Sequence, residues 1–400
     1  MKTALLALLA ACGSGSPAAS DAPGTPGDAS ANADAKIAPG GRWVLGYYVG
    51  YQITQLPIAS IPWDALTHIA MSPMVVAADG TPDLSFDDSR GMGTADAMAV
   101  AAAAHAHGVV PLLMLGGANA GANIRSAAAP GNVGAFVTKL LGAMDQLGYD
   151  GIDLDWEDSV DLDELVALAQ RLRAARPNIV LTYPAGTING NIQTVDPKVA
   201  TLAASLDQFN VQTYYPSTAV VGQGWDSWFL APIGGQTGAT PISAADTLMR
   251  YAAAGIPRAK LGLGTGFYAI CYTGGITAPH QPTSASTQIV GGDNAYPLSA
   301  FYASGGTFDT HAAARQRDDA AKQPYLSLAS PVDDPHCGAA TQYLSYEDEQ
   351  SIADKGAFAK QSGYGGIIVW TLAEGYLPAN AAGGRARDSM IQALSNAFVR

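Results

Sequence analysis

The sequence predicts an α/β fold: a closed (β/α)8 TIM barrel that carries an α+β insertion between its seventh and eighth strands. Two observations lead to this prediction. Eight short apolar runs alternate with helical patterns, and one interval between runs is far longer than a crossover helix requires. A length of 400 residues suits one barrel with an insertion, and the 48% hydrophobic content supplies a large core.

The eight apolar runs are mostly apolar without alternation, as strands covered on both faces tend to be. They span residues 43–48, 66–71, 109–115, 151–156, 179–183, 209–214, 261–265 and 367–370. Between them, residues 133–147 and 161–175 repeat apolar residues at helical spacing, and Pro177 ends the second helix. An open doubly wound sheet is the alternative fold. It would need a glycine-rich phosphate loop, and Gly116-Gly117 after the third run lacks that spacing.

The long interval lies between the seventh and eighth runs and contains about a hundred residues. Its end, roughly residues 347–361, has the pattern of the last crossover helix. Residues 270–345 are therefore predicted to form an inserted subdomain. Cys271 and Cys337 lie near its two ends. In an exported protein a disulfide between them would close the base of the insertion, and two unpaired thiols are the alternative.

The first 12 residues have the pattern of a lipoprotein-type signal peptide that ends at Cys12. A lysine precedes the apolar run 4–11, which is too short to span a bilayer, and small residues precede the cysteine, as in the bacterial lipobox. An ordinary signal peptide is the alternative. Residues 13–40 are rich in small and polar residues and predict a flexible linker to the barrel of residues 41–400. We expect an exported chain, lipid-anchored at the cell envelope or otherwise secreted.

Charge excludes several classes of partner. The net charge of −13 argues against nucleic acid and against an anionic membrane surface, and it fits a neutral substrate. The only membrane contact that we expect is the lipid on Cys12. His68, His105 and His107 show no metal-ligand arrangement. We therefore expect a monomer with no metal and no cofactor.

The segment 150–157, Asp-Gly-Ile-Asp-Leu-Asp-Trp-Glu, concentrates acids at the end of the fourth run. Strand alternation turns Asp153, Asp155 and Glu157 to one face. Because stacked carboxylates must share protons or find hydrogen bonds, at least one pKa is raised, as a general acid near neutral pH requires. A polar cluster without chemistry and a Ca²⁺ or Mg²⁺ site are the alternatives, although an in-line strand lacks the loop geometry of common metal sites.

This octapeptide resembles the DGxDxDWE signature of the family 18 glycoside hydrolases, the chitinases, and matches it at every fixed position. Other segments resemble family strands in the same order: Gly46-Tyr47-Tyr48, Leu66-Thr67-His68-Ile69, Gln212-Thr213-Tyr214-Tyr215, Leu261-Gly262-Leu263-Gly264 and Gly365-Gly366-Ile367-Ile368-Val369-Trp370. The resemblance covers about residues 42–400. It implies retaining, substrate-assisted hydrolysis of β-1,4 bonds between N-acetylglucosamine units of chitin or chitooligosaccharides.

The resemblance also implies a role for each residue of the site. Glu157 would protonate the leaving oxygen, Asp155 would hold the substrate's acetamido N–H, and Asp153 would share a proton with Asp155. Tyr214 would orient the acetamido carbonyl, which attacks the anomeric carbon. Trp370 would form the apolar floor under the sugar.

Two departures from the family pattern bear on the substrate. Met114 stands where the family has a serine, which leaves Tyr47 as the expected sole hydrogen-bond donor to Asp153. Tyr215 replaces an aspartate that contacts the sugar, and Gln212 replaces a methionine and could offer its amide to the sugar. An endo-β-N-acetylglucosaminidase acting on glycoproteins or peptidoglycan is the alternative enzyme. A non-catalytic chitin-binding barrel is the alternative of another class.

Overall fold

A computed structural model describes residues 41–188, 194–214 and 224–400. In it eight parallel strands close into a barrel, in the order β1-β13-β7-β6-β5-β4-β3-β2. The strands are β1 (Trp43–Val49), β2 (His68–Met74), β3 (Val110–Gly116), β4 (Gly151–Asp155), β5 (Val180–Ala185), β6 (Gln208–Val211), β7 (Leu261–Gly266) and β13 (Gly366–Trp370). The predicted barrel is thereby confirmed. Two strands are shorter than predicted: β4 ends one residue early, at Asp155, and β6 ends at Val211, which leaves residues 212–214 to the loop above it.

Helices cover the outside of the barrel. They are α1 (Gly93–Ala106), α2 (Gly121–Ala128), α3 (Val133–Leu147), α4 (Leu162–Ala175), α5 (Lys198–Ser205), α6 (Ala244–Ala253), α9 (Glu349–Ser362) and α10 (Ser389–Phe398). The Asp161 side chain caps α4 by accepting the N–H groups of Asp163 and Glu164. Gly148 ends α3 in the left-handed conformation, with φ of +79°, which glycine adopts without strain. Local sequence signals therefore place the helices that follow β3 and β4.

The insertion predicted between the last two barrel strands is also confirmed. It contains a five-stranded antiparallel sheet in the order β10-β11-β12-β8-β9. Its elements are β8 (Ile270–Tyr272), β9 (Ile289–Gly291), α7 (Leu298–Phe301), α8 (Thr307–His311), β10 (Arg315–Asp318), β11 (Gln323–Asp334) and β12 (Gly338–Ser345). The structure joins Cys271 to Cys337 as a disulfide, with 5.9 Å between the Cα atoms, so that the insertion is closed covalently near its base.

Side chains fill the interior of the barrel. The buried inner cluster comprises Trp43, Leu45, Tyr47, Ala70, Val110, Leu112, Met114 and Ile368. Burial of a large apolar side chain stabilises the fold by about 1.5–3 kcal/mol. The barrel is consequently a packed core, and in this fold ligands bind at the carboxyl ends of the strands.

A polar network, here called the base cluster, crosses the amino-terminal end of the barrel. The indole N–H of Trp43 donates to Asn210 (2.9 Å), and the Asn210 amide donates to the Gln208 side-chain oxygen (3.3 Å). Gln208 donates to Nε2 of His68 (3.1 Å), whose Nδ1 lies 2.8 Å from the Thr67 hydroxyl. Burial lowers the pKa of His68 to about 4, so the ring is neutral near pH 7.

In the part of the chain that the structure describes, no helix is both long and apolar enough to cross a bilayer. The predicted signal peptide, with Cys12, and the predicted linker lie outside the described residues.

Candidate active site

The three acids predicted to act together lie at the carboxyl end of β4. Asp153 and Asp155 are 0% and 2% exposed, whereas Glu157, just beyond the strand, is exposed to solvent. The alternate residues Ile152 and Leu154 pack into the outer core between strands and helices. Strand alternation therefore gathers the carboxylates on the inner face, as the sequence predicts.

Two hydroxyl groups hold Asp153. The Tyr47 hydroxyl donates to Oδ2 (2.8 Å), and the Thr182 hydroxyl donates to Oδ1. The expectation that Tyr47 would be the sole donor is therefore wrong. Thr182 lies opposite Asp153 in the register between β4 and β5, while Met114, the neighbour on β3, belongs to the apolar inner cluster. Burial raises the pKa of Asp153 to about 6, and the two donated hydrogen bonds oppose that rise.

Asp155 is the least satisfied of the three acids. Among the described residues its Oδ1 atom is buried and has no hydrogen-bond partner. Burial raises the pKa of Asp155 well above its usual value, and the charges of Glu157 and Asp153 add to the rise. Its hydrogen bond is to Glu157. The expected proton sharing between Asp153 and Asp155 stays a prediction.

Glu157 points into solvent above the barrel and is held from one side. The Gln212 amide donates to its Oε1 atom at 2.8 Å. The sequence suggested that this amide would be offered to a sugar. In the structure it orients Glu157 through one carboxylate oxygen.

Tyr214 is half-buried beside these acids in the loop after β6. Its ring lies against the backbone of Gly264, where an added Cβ would fall 2.7 Å from Cε1 of the tyrosine, so the close packing requires glycine. The neighbouring Thr213 hydroxyl donates to the Gly264 carbonyl (2.8 Å) and anchors the loop to β7. Burial raises the pKa of Tyr214 well above its usual value, and its hydroxyl therefore remains a hydrogen-bond donor.

Trp370 ends β13 and forms the floor of the space above the barrel. Its ring lies 5.1 Å from the Tyr47 ring, at 57°. The peptide bond between Trp370 and Thr371 is cis. The indole is half-buried and offers a flat apolar surface next to the carboxylates.

Two further acids border this space, and sequence reasoning missed both. Asp293 comes from the insertion, in the loop after β9, and Glu374 follows β13. Glu374 is 1% exposed and accepts the backbone N–H of Asn294 (2.6 Å). Burial raises the pKa of Glu374 to about 9, and the charge of Asp293 adds to this rise. The only local signal was an aspartate directly after two glycines, Gly291 and Gly292.

The structure thus brings together all of the predicted site residues that it describes: Asp153, Asp155, Glu157, Tyr214, Tyr47, Gln212 and Trp370. Tyr215 lies outside the described residues, and its contact with a sugar stays a prediction. Among the described side chains no group of three or more histidines, cysteines or acids is arranged to hold a metal ion. The arrangement places Glu157, a carboxyl group that can donate a proton, beside the unpartnered Oδ1 atom of Asp155 and the phenol of Tyr214. The ring of Trp370 lies below them.

Known proteins resemble this chain in sequence and in fold. The family model for glycosyl hydrolases family 18 matches residues 43–375. Chitinase A1 of Niallia circulans is 27% identical over 59% of this chain and 36% of its own length, and Chitinase 1 of Aphanocladium album is 26% identical over 78% and 76%. This chain spans 36% and 39% of the first two curated relatives.

Solved structures show the same fold. A chitinase from Rhizomucor miehei is 25% identical, with a TM-score of 0.68 over 89% of this chain and 100% of that chain. The Group IV chitinase of Ostrinia furnacalis is 19% identical, with a TM-score of 0.72 over 90% of this chain and 100% of that chain.

Proposed function

The chain belongs to family 18 of the glycosyl hydrolases, and we propose that it hydrolyses β-1,4 bonds between N-acetylglucosamine units of chitin or chitooligosaccharides. One observation carries the proposal. Glu157 is exposed to solvent and is hydrogen-bonded to Asp155. Asp155 in turn keeps a buried oxygen without a partner among the described residues. Such an oxygen is costly in a folded protein unless a ligand pairs with it. The names of the matched relatives support the same substrate class.

Asp155 Oδ1 is the natural acceptor for the acetamido N–H of the sugar. When that N–H binds, it favours the ionised form of Asp155. A proton carried by Asp155 before the substrate binds then passes to Glu157, its hydrogen-bond partner. Substrate binding itself thereby converts Glu157 into the acid that protonates the leaving glycosidic oxygen.

The nucleophile in this mechanism is the acetamido oxygen of the substrate, which forms a bond to the anomeric carbon as the glycosidic bond breaks. The Tyr214 hydroxyl donates to that oxygen and orients it for the attack. The ionised Asp155 balances the positive charge of the oxazolinium ring that results. Trp370 supports the apolar face of the distorted sugar.

Water then attacks the anomeric carbon from the face that the leaving group vacated, opposite the acetamido oxygen. The bond between that carbon and the acetamido oxygen breaks, and Glu157 takes the proton from the water. Because both displacements invert the anomeric carbon, the product keeps the β configuration. Asp153, held by Tyr47 and Thr182, stays in place below Asp155 and raises its pKa, so that Asp155 gives up its proton only when the substrate N–H arrives.

The test uses the purified chain with N-acetylglucosamine oligomers and NMR detection of the first anomer formed. We expect β product from the wild type, and a loss of about 10²–10⁴-fold in kcat for Glu157→Gln. Glu164→Gln, on α4, is the matched control and should keep wild-type activity. Absence of product from the wild type, or high activity in Glu157→Gln, would contradict the proposal. Parallel assays with N-glycoprotein and peptidoglycan separate chitin from the alternative substrates.

We also propose that the chain is exported and anchored by a lipid on Cys12. The support is the pattern of the first 12 residues. Incorporation of a palmitate analogue should disappear in Cys12→Ala, and labelling that persists in this variant would refute the anchor.

A further inference from the structure

The insertion reaches the active site through a short, well-fixed loop after β9. The backbone N–H groups of Gly292 and Tyr296 donate to Ala269 and Gly292 (2.8 Å each), and that of Ala269 donates to Tyr296 (2.8 Å). Gly291 and Gly292 have φ of +79° and +96°, which favours glycine at both positions. The loop therefore has a defined conformation, which fixes the position of Asp293, the residue after the two glycines.

Asn294 ties this loop to the barrel. Gln52 donates to its side-chain oxygen (2.6 Å), and its amide donates to the Tyr51 hydroxyl (3.3 Å). Its backbone N–H donates to Oε1 of Glu374 (2.6 Å). These three bonds join the insertion to the loops that follow β1 and β13, and they fix the position of the neighbouring residue, Asp293.

Asp293 lies at the edge of the active site. It accepts a hydrogen bond from the Trp370 side chain. Burial raises the pKa of Asp293, the hydrogen bonds from Trp370 and from the Asn294 backbone oppose that rise, and the nearby charge of Glu157 adds to it. Its own charge acts on Tyr214, Tyr51 and Glu374. Asp293 is therefore a component of the same cleft as the proposed catalytic acid.

Among the described residues no cation offsets this carboxylate. Asp293 has no ion pair there with lysine, arginine or histidine, and no basic side chain is among the main charges acting on Asp153, Asp155, Asp293 or Glu374. The described part of the cleft thus carries charge of one sign.

The raised pKa of Glu374 decides which of the two acids, Glu374 or Asp293, stays protonated. Its Oε2 atom is buried without a partner among the described residues, and its raised pKa keeps it protonated near pH 7. Asp293, which is exposed to solvent, is then the member of the pair that ionises more readily. The result is an exposed carboxylate beside the aromatic floor.

We propose that Asp293 binds the ammonium group of a glucosamine unit, so that the preferred substrate is a partially deacetylated, cationic chitin oligomer. The inference rests on the proposed function. The sugar being cleaved must keep its acetamido group, because that group is the nucleophile, and the glucosamine is therefore its neighbour in the chain. An ammonium group would offer Asp293 both an opposite charge and hydrogen-bond donors. An acetylated sugar would offer only a neutral donor.

The experiment measures oligomer binding by calorimetry at mildly acidic pH, where the amine is protonated, in the Glu157→Gln background. Two tetramers are compared, one fully acetylated and one with a single glucosamine next to an acetylated unit. Adding Asp293→Asn should weaken binding of the glucosamine tetramer about tenfold, since a hydrogen bond to a charged group is lost. Binding of the acetylated tetramer should stay within about twofold, because asparagine still accepts a neutral donor. Salt should weaken only the first interaction.

Asp333→Asn, at an exposed aspartate of the same insertion, is the matched control and should change neither affinity. Equal losses for both tetramers would overturn the proposal and make Asp293 a positioning residue for Trp370. Unchanged affinities would overturn it as well. If neither tetramer binds, and the wild type cleaves no acetylated oligomer, the proposed function itself has failed. If acetylated oligomers are bound and cleaved but Asp293→Asn does not change the ratio of the affinities for the two tetramers, only this inference has failed.

Discussion

The two ends of the barrel interior hold polar clusters of different character. In the base cluster, the side chains of Trp43, Asn210, Gln208, His68 and Thr67 form a continuous chain of hydrogen bonds. In the cluster at the opposite end, formed by Asp153, Asp155 and Glu157, one buried oxygen has no partner among the described residues. A saturated network stabilises the fold, whereas an unsatisfied atom beside a proton donor is suited to a ligand.

Burial shifts pKa values in both clusters for the same physical reason but in opposite directions. It disfavours the charged form of every group, so it lowers the pKa of His68 and raises the pKa of Asp153 and Asp155. The base cluster is consequently neutral around pH 7. In the acidic cluster the raised pKa values favour the protonated acids, and substrate binding can move such a proton.

The largest expected effect comes from Asp155→Asn. The amide cannot become an anion to balance the oxazolinium charge, and we expect kcat for N-acetylglucosamine oligomers to fall by about 10³-fold, as when a preorganised electrostatic contact is removed. The free energy of unfolding should stay the same or rise, because a buried, poorly paired acid is removed. Steady-state kinetics and urea denaturation measure the two effects. If the variant kept its activity, or lost much of its unfolding free energy, the proposed difference between the two clusters would be wrong.

The converse change is Asn210→Leu in the base cluster. It leaves the Trp43 N–H and the Gln208 oxygen without their partner, and we expect a loss of about 3 kcal/mol in unfolding free energy. Activity per folded molecule should stay within about twofold of the wild type, because the acids lie at the other end of the barrel. Asn178→Leu, at an exposed asparagine, is the control and should cost less than about 0.5 kcal/mol. A similar cost in both variants would argue that the base cluster contributes little.

The clusters should also give opposite pH dependences of stability. The folded pKa of His68 is about 4 against 6.5 for the free group, so its contribution is present above pH 6.5 and is lost as the pH falls toward 4. The folded pKa of Asp153 is about 6 against 3.8, so its contribution is present below pH 3.8 and is lost as the pH rises through 6. Each effect is on the order of 3 kcal/mol.

Urea denaturation across this pH range, in His68→Gln and Asp153→Asn, separates the two contributions. Each variant should lack one of the two slopes that the wild type shows. Identical pH dependence in wild type and variants would mean that neither group titrates differently in the folded state.

The smallest effect is expected for Thr182→Val, which removes one of the two donors to Asp153. Loss of that donor raises the pKa of Asp153 further, and the acidic limb of the pH profile of kcat/KM should move to higher pH. We expect kcat/KM to fall about tenfold at the optimum. Tyr47→Phe should shift the limb in the same direction, whereas Thr138→Val, at an exposed threonine, should leave it in place. An unmoved acidic limb in both variants would exclude Asp153 from the titration.

Much of this protein follows from the sequence by itself. The strand period of two places Asp153, Asp155 and Glu157 on one face wherever β4 lies, and the excess length between the last two strands predicts the insertion. The bounds of α3 and the capped start of α4 follow from local signals. These features need only near neighbours in the chain, which is why residue patterns predict them.

Only the tertiary structure decided which side chains complete the site. Thr182 reaches Asp153 because β5 pairs with β4 in one register, and a register involves two segments whose alignment neither one specifies alone. Asp293 and Glu374 meet because the insertion folds back onto the loops after β1 and β13. The base cluster forms because closure of the barrel brings β2 and β6 within hydrogen-bond distance across its interior. Contacts of this kind depend on barrel closure and on packing between distant segments, and no local pattern records them.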